Sequence, residues 1–411
     1  MMTKVICFIF LILGVTLQTT ACTIALVSGK HTPDGRPIMW KHRDTGTLDN
    51  KVVINEQGLY RSVILINSED SDFEKAWIGF NEAGFAIMNS ASYNLRQEDT
   101  VQLPHNEGIL MREALENCAT VEDFETFLHE RPKPMGIESN FGVMDAKGNI
   151  AYFETDNFSW TKIDVNDLAV APHGYIVRSN FSFTGRPHDG AGYIRFETAE
   201  KLFYRAAATA NLSIPYMVKN MAISLENAYS RQDARDALGM RENQEHFMYY
   251  QDCINRYTSS SSVFIQGVND ALNPLHTTMW AMVGFPMSSV AIPVWITPDN
   301  SLPAIITAPG DKNALICDMA LELKNRMVPS TRGSTKYYIN AVQVYNADNT
   351  GITQQLIPVN QQIIRQTNVS AEKWPASGPP AADVTQLYRW IDDFVKKQYH
   401  ELFNINLPDA R

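Results

Sequence analysis

The sequence predicts an α+β fold of layered antiparallel sheets, and two observations carry that prediction. Short β-prone runs recur in pairs joined by turn residues, and amphipathic helical stretches bracket them in blocks. A chain of 411 residues, 45% hydrophobic and 19% charged, has enough apolar residues to bury a large core, and no internal repeat or low-complexity tract interrupts it. Thirty-five basic against 45 acidic residues give a net charge of −10, which argues against nucleic acid or an anionic membrane surface as a partner.

The chain opens on an export signal. Lys4 supplies the positive end, Val5 to Val15 is an apolar run too short to span a bilayer, and Thr19-Thr20-Ala21 offers small residues for cleavage. Residues 1–21 therefore read as a signal peptide, and the protein as periplasmic or secreted. Removing this leader, whose one charge is Lys4, brings the net charge to −11. A cut after Ala21 leaves Cys22 as the first residue, carrying a thiol and a free α-amine together. That is a nucleophile with its own base. The competing reading is a lipid-anchored surface protein that binds a ligand, acylated on Cys22 and without catalysis. Polar Thr19, and the absence of a Ser/Gly tether after Cys22, weigh against it.

Thr23 to Val27 is β-prone, Pro33-Asp34-Gly35 marks a turn, and Pro37 to Trp40 resumes an apolar strand, so the segment reads as a hairpin. A turn centred on Pro33 or on Asp34-Gly35 places the residue facing Cys22 between Asp44 and Thr47. The hairpin returns Lys41 and Asp44 to the neighbourhood of Cys22. A carboxylate there can orient an amine, and a cation there favours thiolate over thiol. The plainer reading of the same charges is a solvated strand end.

Further hairpins follow: Ala76 to Phe80 with Phe85 to Asn89 after a strand at Arg61 to Asn67, and Phe141 to Asp145 with Ile150 to Glu154. Between them lie helices, Gly108 to Cys118 and one capped at Thr120 that ends at Pro132 and Pro134. Tyr175 to Val177 reads as a strand entering Asn180, residues 196–240 as helix-rich, and Tyr257 to Ser262 as a serine run ahead of a strand at Val263 to Ile265. Strands are expected at Thr277 to Phe285 and Ser289 to Thr297, and a helix at Lys312 to Arg326. From residue 330 the character changes to an expected strand at Tyr337 to Val344, a Pro/Ala-rich linker at Trp374 to Ala382 and a terminal helix at Val384 to Phe403. The expected division is a leader (1–21), a main domain (22–329) and a C-terminal extension (330–411) that packs on the main domain or on a partner subunit.

Cys22-Thr23 with a following strand, Asp34-Gly35 and Trp40-Lys41-His42-Arg43-Asp44 resemble the opening of the N-terminal nucleophile hydrolases, in the branch holding the isopenicillin-N acyltransferases and choloylglycine (bile salt) hydrolases. Over roughly Cys22 to Lys324, the resemblance implies a four-layer αββα sandwich. It implies Cys22 as nucleophile, Lys41 where bile salt hydrolases carry Arg, and Asp44 as the family Asp. Gly79 to Ile87 followed by Asn89 resembles the family segment ending in an oxyanion-hole Asn, and Asn180 matches an Asn that reaches the nucleophile. The plainer reading of Asn89 is a turn former at a strand end. Asn180 also begins a glycosylation sequon, as do Asn157, Asn211 and Asn368, and an acceptor must be exposed. Bile salt hydrolases place an Arg after a Ser where this chain has Val263, with Arg256 out of register, which argues against bile salts as substrate.

The expected function is an exported cysteine amidase cleaving a linear amide, such as an N-acyl amino acid or peptide, through a thioester on Cys22. An acyltransferase, a dipeptidase of the related Cys-Thr branch and a bile salt hydrolase are the alternative enzymes. The partner is a small-molecule amide, with a homo-oligomer also open. No cofactor or metal is expected, since the nine histidines fall in no His-Glu-x-x-His, no Cys-x-x-Cys occurs, and neither a Gly-rich phosphate loop nor a Gly-x-Ser-x-Gly elbow is present. Of five cysteines, Cys7 leaves with the leader, and Cys118, Cys253 and Cys317 are too few for a disulfide scaffold, though one pair is possible in an oxidising compartment.

Overall fold

The computed structural model describes residues 21–96, 99 and 105–405. Except for Ala21, the leader lies outside them. β1 (Ala21–Val27) and β2 (Ile38–Asp44) form the first hairpin, and β3 (Asn50–Asn55), β4 (Ser62–Asn67), β5 (Ile78–Asn81) and β6 (Ala86–Ala91) follow as a meander. Next come α1 (Glu107–Asn117), α2 (Val121–Glu130), β7 (Ser139–Met144), β8 (Ile150–Thr155), β9 (Trp160–Asp164), β10 (Tyr175–Arg178), α3 (Tyr193–Ala208) and α4 (Ile214–Asn220). The remainder is β11 (Phe247–Tyr249), β12 (Ser259–Gln266), β13 (Thr278–Val283), β14 (Ile292–Val294), α5 (Leu315–Met327), β15 (Tyr338–Asn340), α6 (Ala341–Val344), α7 (Ile352–Ala371) and α8 (Ala381–Phe403).

Every ladder is antiparallel. One sheet runs β10-β1-β2-β12-β13-β14, a second β3-β4-β5-β6-β7-β8-β9, and β11-β15 is a small pair to the side. Alternation along the strands decides what each face buries. Ile24, Leu26, Met39, Val263 and Ile265 of the first sheet share a core with Val63, Leu65, Phe80, Met88 and Tyr152 of the second. Ala25, Val27, Trp40 and Phe264 point the other way, onto Leu202 and Phe203 of α3 and Met217 of α4. On the far side of the second sheet, Ile64, Ile87, Phe141 and Phe153 pack against Leu110 and Leu115 of α1 and Phe124 of α2. The order is helix, sheet, sheet, helix, an αββα sandwich.

The first hairpin has a shifted register, and Cys22 faces Arg43, not a residue between 44 and 47. The ten-residue connection contains a 3-10 turn at Gly29–His31. The bend is centred at Thr32-Pro33, where Thr32 Oγ1 lies within hydrogen-bond reach of Gly29 O (3.1 Å) and Arg36 O (2.9 Å), its one hydrogen shared between them. The serine run is itself strand: Ser259 to Ser262 are buried in β12, where Ser262 Oγ accepts from Trp40 Nε1 at 2.9 Å. Only Ile292–Val294 of the expected 289–297 strand pairs. Only Tyr338–Asn340 of 337–344 does, because Asn340 caps Val342 N and turns the chain into α6. Sequence reasoning gave no element to β3, β9, β11 or α7. The terminal helix α8 is seated against β14 and the turn before it: Trp295 N donates to Tyr388 Oη (2.9 Å) and Tyr399 Oη donates to Ser288 O (2.7 Å). All four described cysteines are free and buried.

Candidate active site

β10 ends at Arg178, opposite Ile24, so at Cys22 the ladder has run out of backbone. The next position along that diagonal is Asn180, and its side chain continues the pairing: Cys22 N donates to Asn180 Oδ1 at 3.1 Å. Asn180 Nδ2 donates to Ala91 O (2.9 Å), which fixes the amide. From α3, Arg195 Nη1 donates to Cys22 O (2.7 Å) and Thr23 Oγ1 (3.0 Å), and Nη2 to Asn180 Oδ1 (2.7 Å). Both backbone groups of Cys22 are therefore held by side chains. Asn180 is fully buried, which removes it as a glycosylation acceptor, and Asn157 is likewise buried, its Oδ1 accepting from Gly136 N and Ile137 N. The Asn211 and Asn368 sequons are exposed.

Alternation splits the Trp40-Lys41-His42-Arg43-Asp44 run between two faces. Lys41 and Arg43 share the inter-sheet face with Cys22. Lys41 Nζ donates to Trp77 O (2.6 Å) and Asn89 Oδ1 (2.7 Å), and Arg43 to Asn50 Oδ1 (2.8 Å) and Asn67 Oδ1 (2.9 Å), its guanidinium stacked 4.4 Å from the Trp77 ring centre. These partners are neutral oxygens, and both cations lie close enough to Cys22 to interact with it coulombically. Burial pulls the Lys41 ammonium down to about 8, with Cys22 opposing the shift. Because an ammonium only donates, it fixes the Asn89 amide with its oxygen toward Lys41. Asn89 Nδ2 then spends one hydrogen on Ser139 Oγ (3.1 Å). A cavity of about 530 Å³ is lined by Thr47, Asp49, Ser68 and Glu69, neighbours of the asparagines that hold Arg43.

Asp44 and His42 face α3. Asp44 Oδ1 accepts from Ser259 Oγ (2.6 Å), and Oδ2 lies 3.0 Å from Arg256 Nε and 4.0 Å from Arg195 Nη1. The Arg256 N–H is not aimed along the line to Oδ2, so this contact is coulombic and not a hydrogen bond. Asp44 thus reaches Cys22 through Arg195. Burial, with Arg195 and Arg256 nearby, pushes the His42 imidazole down to about 4 although Asp44 pulls it up.

That depression has a measurable consequence. Between about pH 4 and 6.5 the unfolded chain binds a proton at residue 42 that the native chain does not, so native stability falls as pH drops through this window. The full term is about 3 kcal/mol, complete near pH 4. Denaturant titrations from pH 7 to 4 should show His42→Gln losing less stability than the parent. Equal slopes contradict a neutral buried imidazole.

The structure brings Cys22, Lys41, Asp44, Asn89 and Asn180 to one end of the sandwich. Sequence reasoning gave no site role to Arg195, Arg256, Ser259, His42 or Arg43. Alternation along β2 was the available signal for His42 and Arg43. Arg195 lies on a polar-faced helix and gives no local sign.

The family match places the chain in the N-terminal nucleophile hydrolase superfamily. The family profile of acyl-coenzyme A:6-aminopenicillanic acid acyl-transferase matches residues 76–300, more than half of the chain, which therefore belongs to that family. This places it among enzymes that transfer or release acyl groups at amides. In structure it is similar to penicillin V acylase from Agrobacterium tumefaciens, with a TM-score of 0.36 and 12% identity over 67% of this chain and 86% of that one. It is also similar to the Caenorhabditis elegans ortholog of N-acylethanolamine-hydrolyzing acid amidase, with a TM-score of 0.35 and 12% identity over 62% and 93%. A variant of conjugated bile acid hydrolase from Clostridium perfringens gives 0.36 and 10% over 68% and 93%. No curated protein matches significantly in sequence. Among the described residues, no group of three or more His, Cys, Asp or Glu is arranged to hold a metal, and no helix is long and apolar enough to cross a membrane.

Proposed function

We propose that the protein is an exported amidase that cleaves a linear amide through a thioester on Cys22, after removal of residues 1–21. The observation that carries this is the hold on Cys22 N: a side-chain oxygen at 3.1 Å receives the nitrogen that becomes the α-amine once the leader is gone. That amine takes the Sγ proton directly or through water, Sγ attacks the amide carbonyl, and the second N–H of Asn89 stabilises the oxyanion. Collapse breaks the C–N bond and passes the proton to the departing amine. Water, deprotonated by the same α-amine, then resolves the thioester, releasing the carboxylic acid and restoring the thiol. If an amine resolves the thioester in place of water, the same site is an acyltransferase.

The test is a panel of N-acyl amino acids, short peptides, penicillins and conjugated bile salts, run with the parent and with Asn89→Ala. Hydrolysis of at least one linear amide is expected, with Asn89→Ala folded and ~10²–10³-fold slower. A fully active Asn89→Ala contradicts the oxyanion role, and preferred cleavage of glyco- or tauro-conjugated bile salts contradicts the substrate order drawn from Val263.

A further inference from the structure

We propose that His42 and Ser259 are positioning residues, a neutral relay that fixes the Asp44 carboxylate so that its outer oxygen serves the two arginines. The inference rests on the reading of Cys22 as nucleophile and adds residues which that reading does not use.

The proton positions follow from a count of donors. Ser259 Oγ lies 2.6 Å from Asp44 Oδ1, and a carboxylate only accepts, so the serine spends its single hydrogen there. Ser259 Oγ also accepts the backbone N–H of Arg256 at 2.9 Å. Its contact with His42 Nε2, at 3.0 Å, must then be donated by the imidazole, which makes His42 the neutral Nε2–H tautomer. His42 Nδ1, buried and without a hydrogen-bond partner among the described residues, is the unprotonated nitrogen of that ring. Protonating it would set a third cation beside Arg195 and Arg256 with Asp44 as the counter-charge.

The relay matters because the serine hydroxyl has a second acceptor within reach, Ile254 O at 3.5 Å. With both lone pairs of Ser259 Oγ engaged by His42 and Arg256, its hydrogen is directed to the nearer Asp44 oxygen. That leaves Oδ2 to Arg256 and Arg195, and Arg195 carries the arrangement onward to Cys22 O and Asn180 Oδ1, both at 2.7 Å. His42, Ser259 and Asp44 are each buried to 1% exposure or less, so water does not substitute for a lost partner.

The test compares Ser259→Ala and His42→Phe with the conservative Ser259→Thr and His42→Gln. Thr keeps the hydroxyl, and the Gln side-chain N–H takes the place of Nε2–H. Two rates are followed: alkylation of Cys22 by iodoacetamide, read by intact mass, and turnover of the best amide of the panel. Cys118, Cys253 and Cys317 are each buried to 1% exposure or less, and a Cys22→Ala control counts any alkylation at them. Ser259→Ala and His42→Phe should slow Cys22 alkylation and lower kcat, with KM kept, by about tenfold, while the conservative variants recover to within about threefold. The relay is overturned if Ser259→Ala reacts like the parent, or if His42→Gln is as slow as a folded His42→Phe. Should His42→Phe fail to fold, the Ser259→Ala and Ser259→Thr pair decides alone. Relayed changes in alkylation without amide turnover leave the relay standing and remove the proposed activity; an unreactive Cys22 in the parent removes both.

Discussion

Cys22→Ala is expected to fold like the parent and to lose amide turnover by ~10⁴-fold or more, because the bond-forming atom itself is gone. The substitution deletes one sulfur from a buried position on β1, and the held backbone N and C=O keep their partners Asn180 and Arg195. Stability should change by ~1 kcal/mol, within the ordinary range for a point substitution. Cys22→Ser keeps the geometry and exchanges thiol for a hydroxyl that is far harder to deprotonate, so it should retain little. Parallel measurement of kcat/KM and thermal unfolding separates these outcomes. A folded Cys22→Ala that retains activity excludes the thioester.

The second large effect comes from the nitrogen. A residue left ahead of Cys22 makes its N an amide, which cannot accept a proton, whereas a free α-amine titrates at about 7.7–8.0 and can. Loss of a general base costs ~10²–10⁴ in rate. Steric crowding acts in the same direction, because Ala21 is buried and paired opposite Asp44, so any preceding residue occupies that end of the site. Protein carrying an uncleavable tag on Cys22 should therefore be folded and inactive, and clean removal of the tag should restore turnover. Full activity with the tag in place contradicts the amine as base.

The αββα layering was legible because it depends on local patterns: paired β-prone runs, turn residues, and helical apolar spacing in α1 and α2. What escaped depends on distant partners. The bend of the first hairpin is centred at Thr32-Pro33 in a ten-residue connection, and that sets Arg43 opposite Cys22. The serine run was read as lying ahead of the strand, yet its buried hydroxyls are part of that strand and find partners in Trp40 and Asp44. α7 was hidden by Pro358 inside a Gln- and Asn-rich stretch, although Ile352, Leu356, Val359 and Ile363 keep helical spacing into the core. Within the site, Lys41 and Asp44 were named from one short run. Their separation onto opposite faces of β2, one with Asn89 and one with Ser259, followed only once the strand was placed. Arg195 comes from a helix some 170 residues away in sequence from the atom it holds, and no spacing rule reaches that far.

The central claim is that Cys22 becomes the first residue and works as an unmodified N-terminal nucleophile. Intact mass and N-terminal sequencing of the exported, active protein test it most directly. The expected result is a chain beginning at Cys22 with a free amine and a free thiol; an active chain that still carries residues ahead of Cys22, or one bearing a diacylglycerol mass on Cys22, contradicts it.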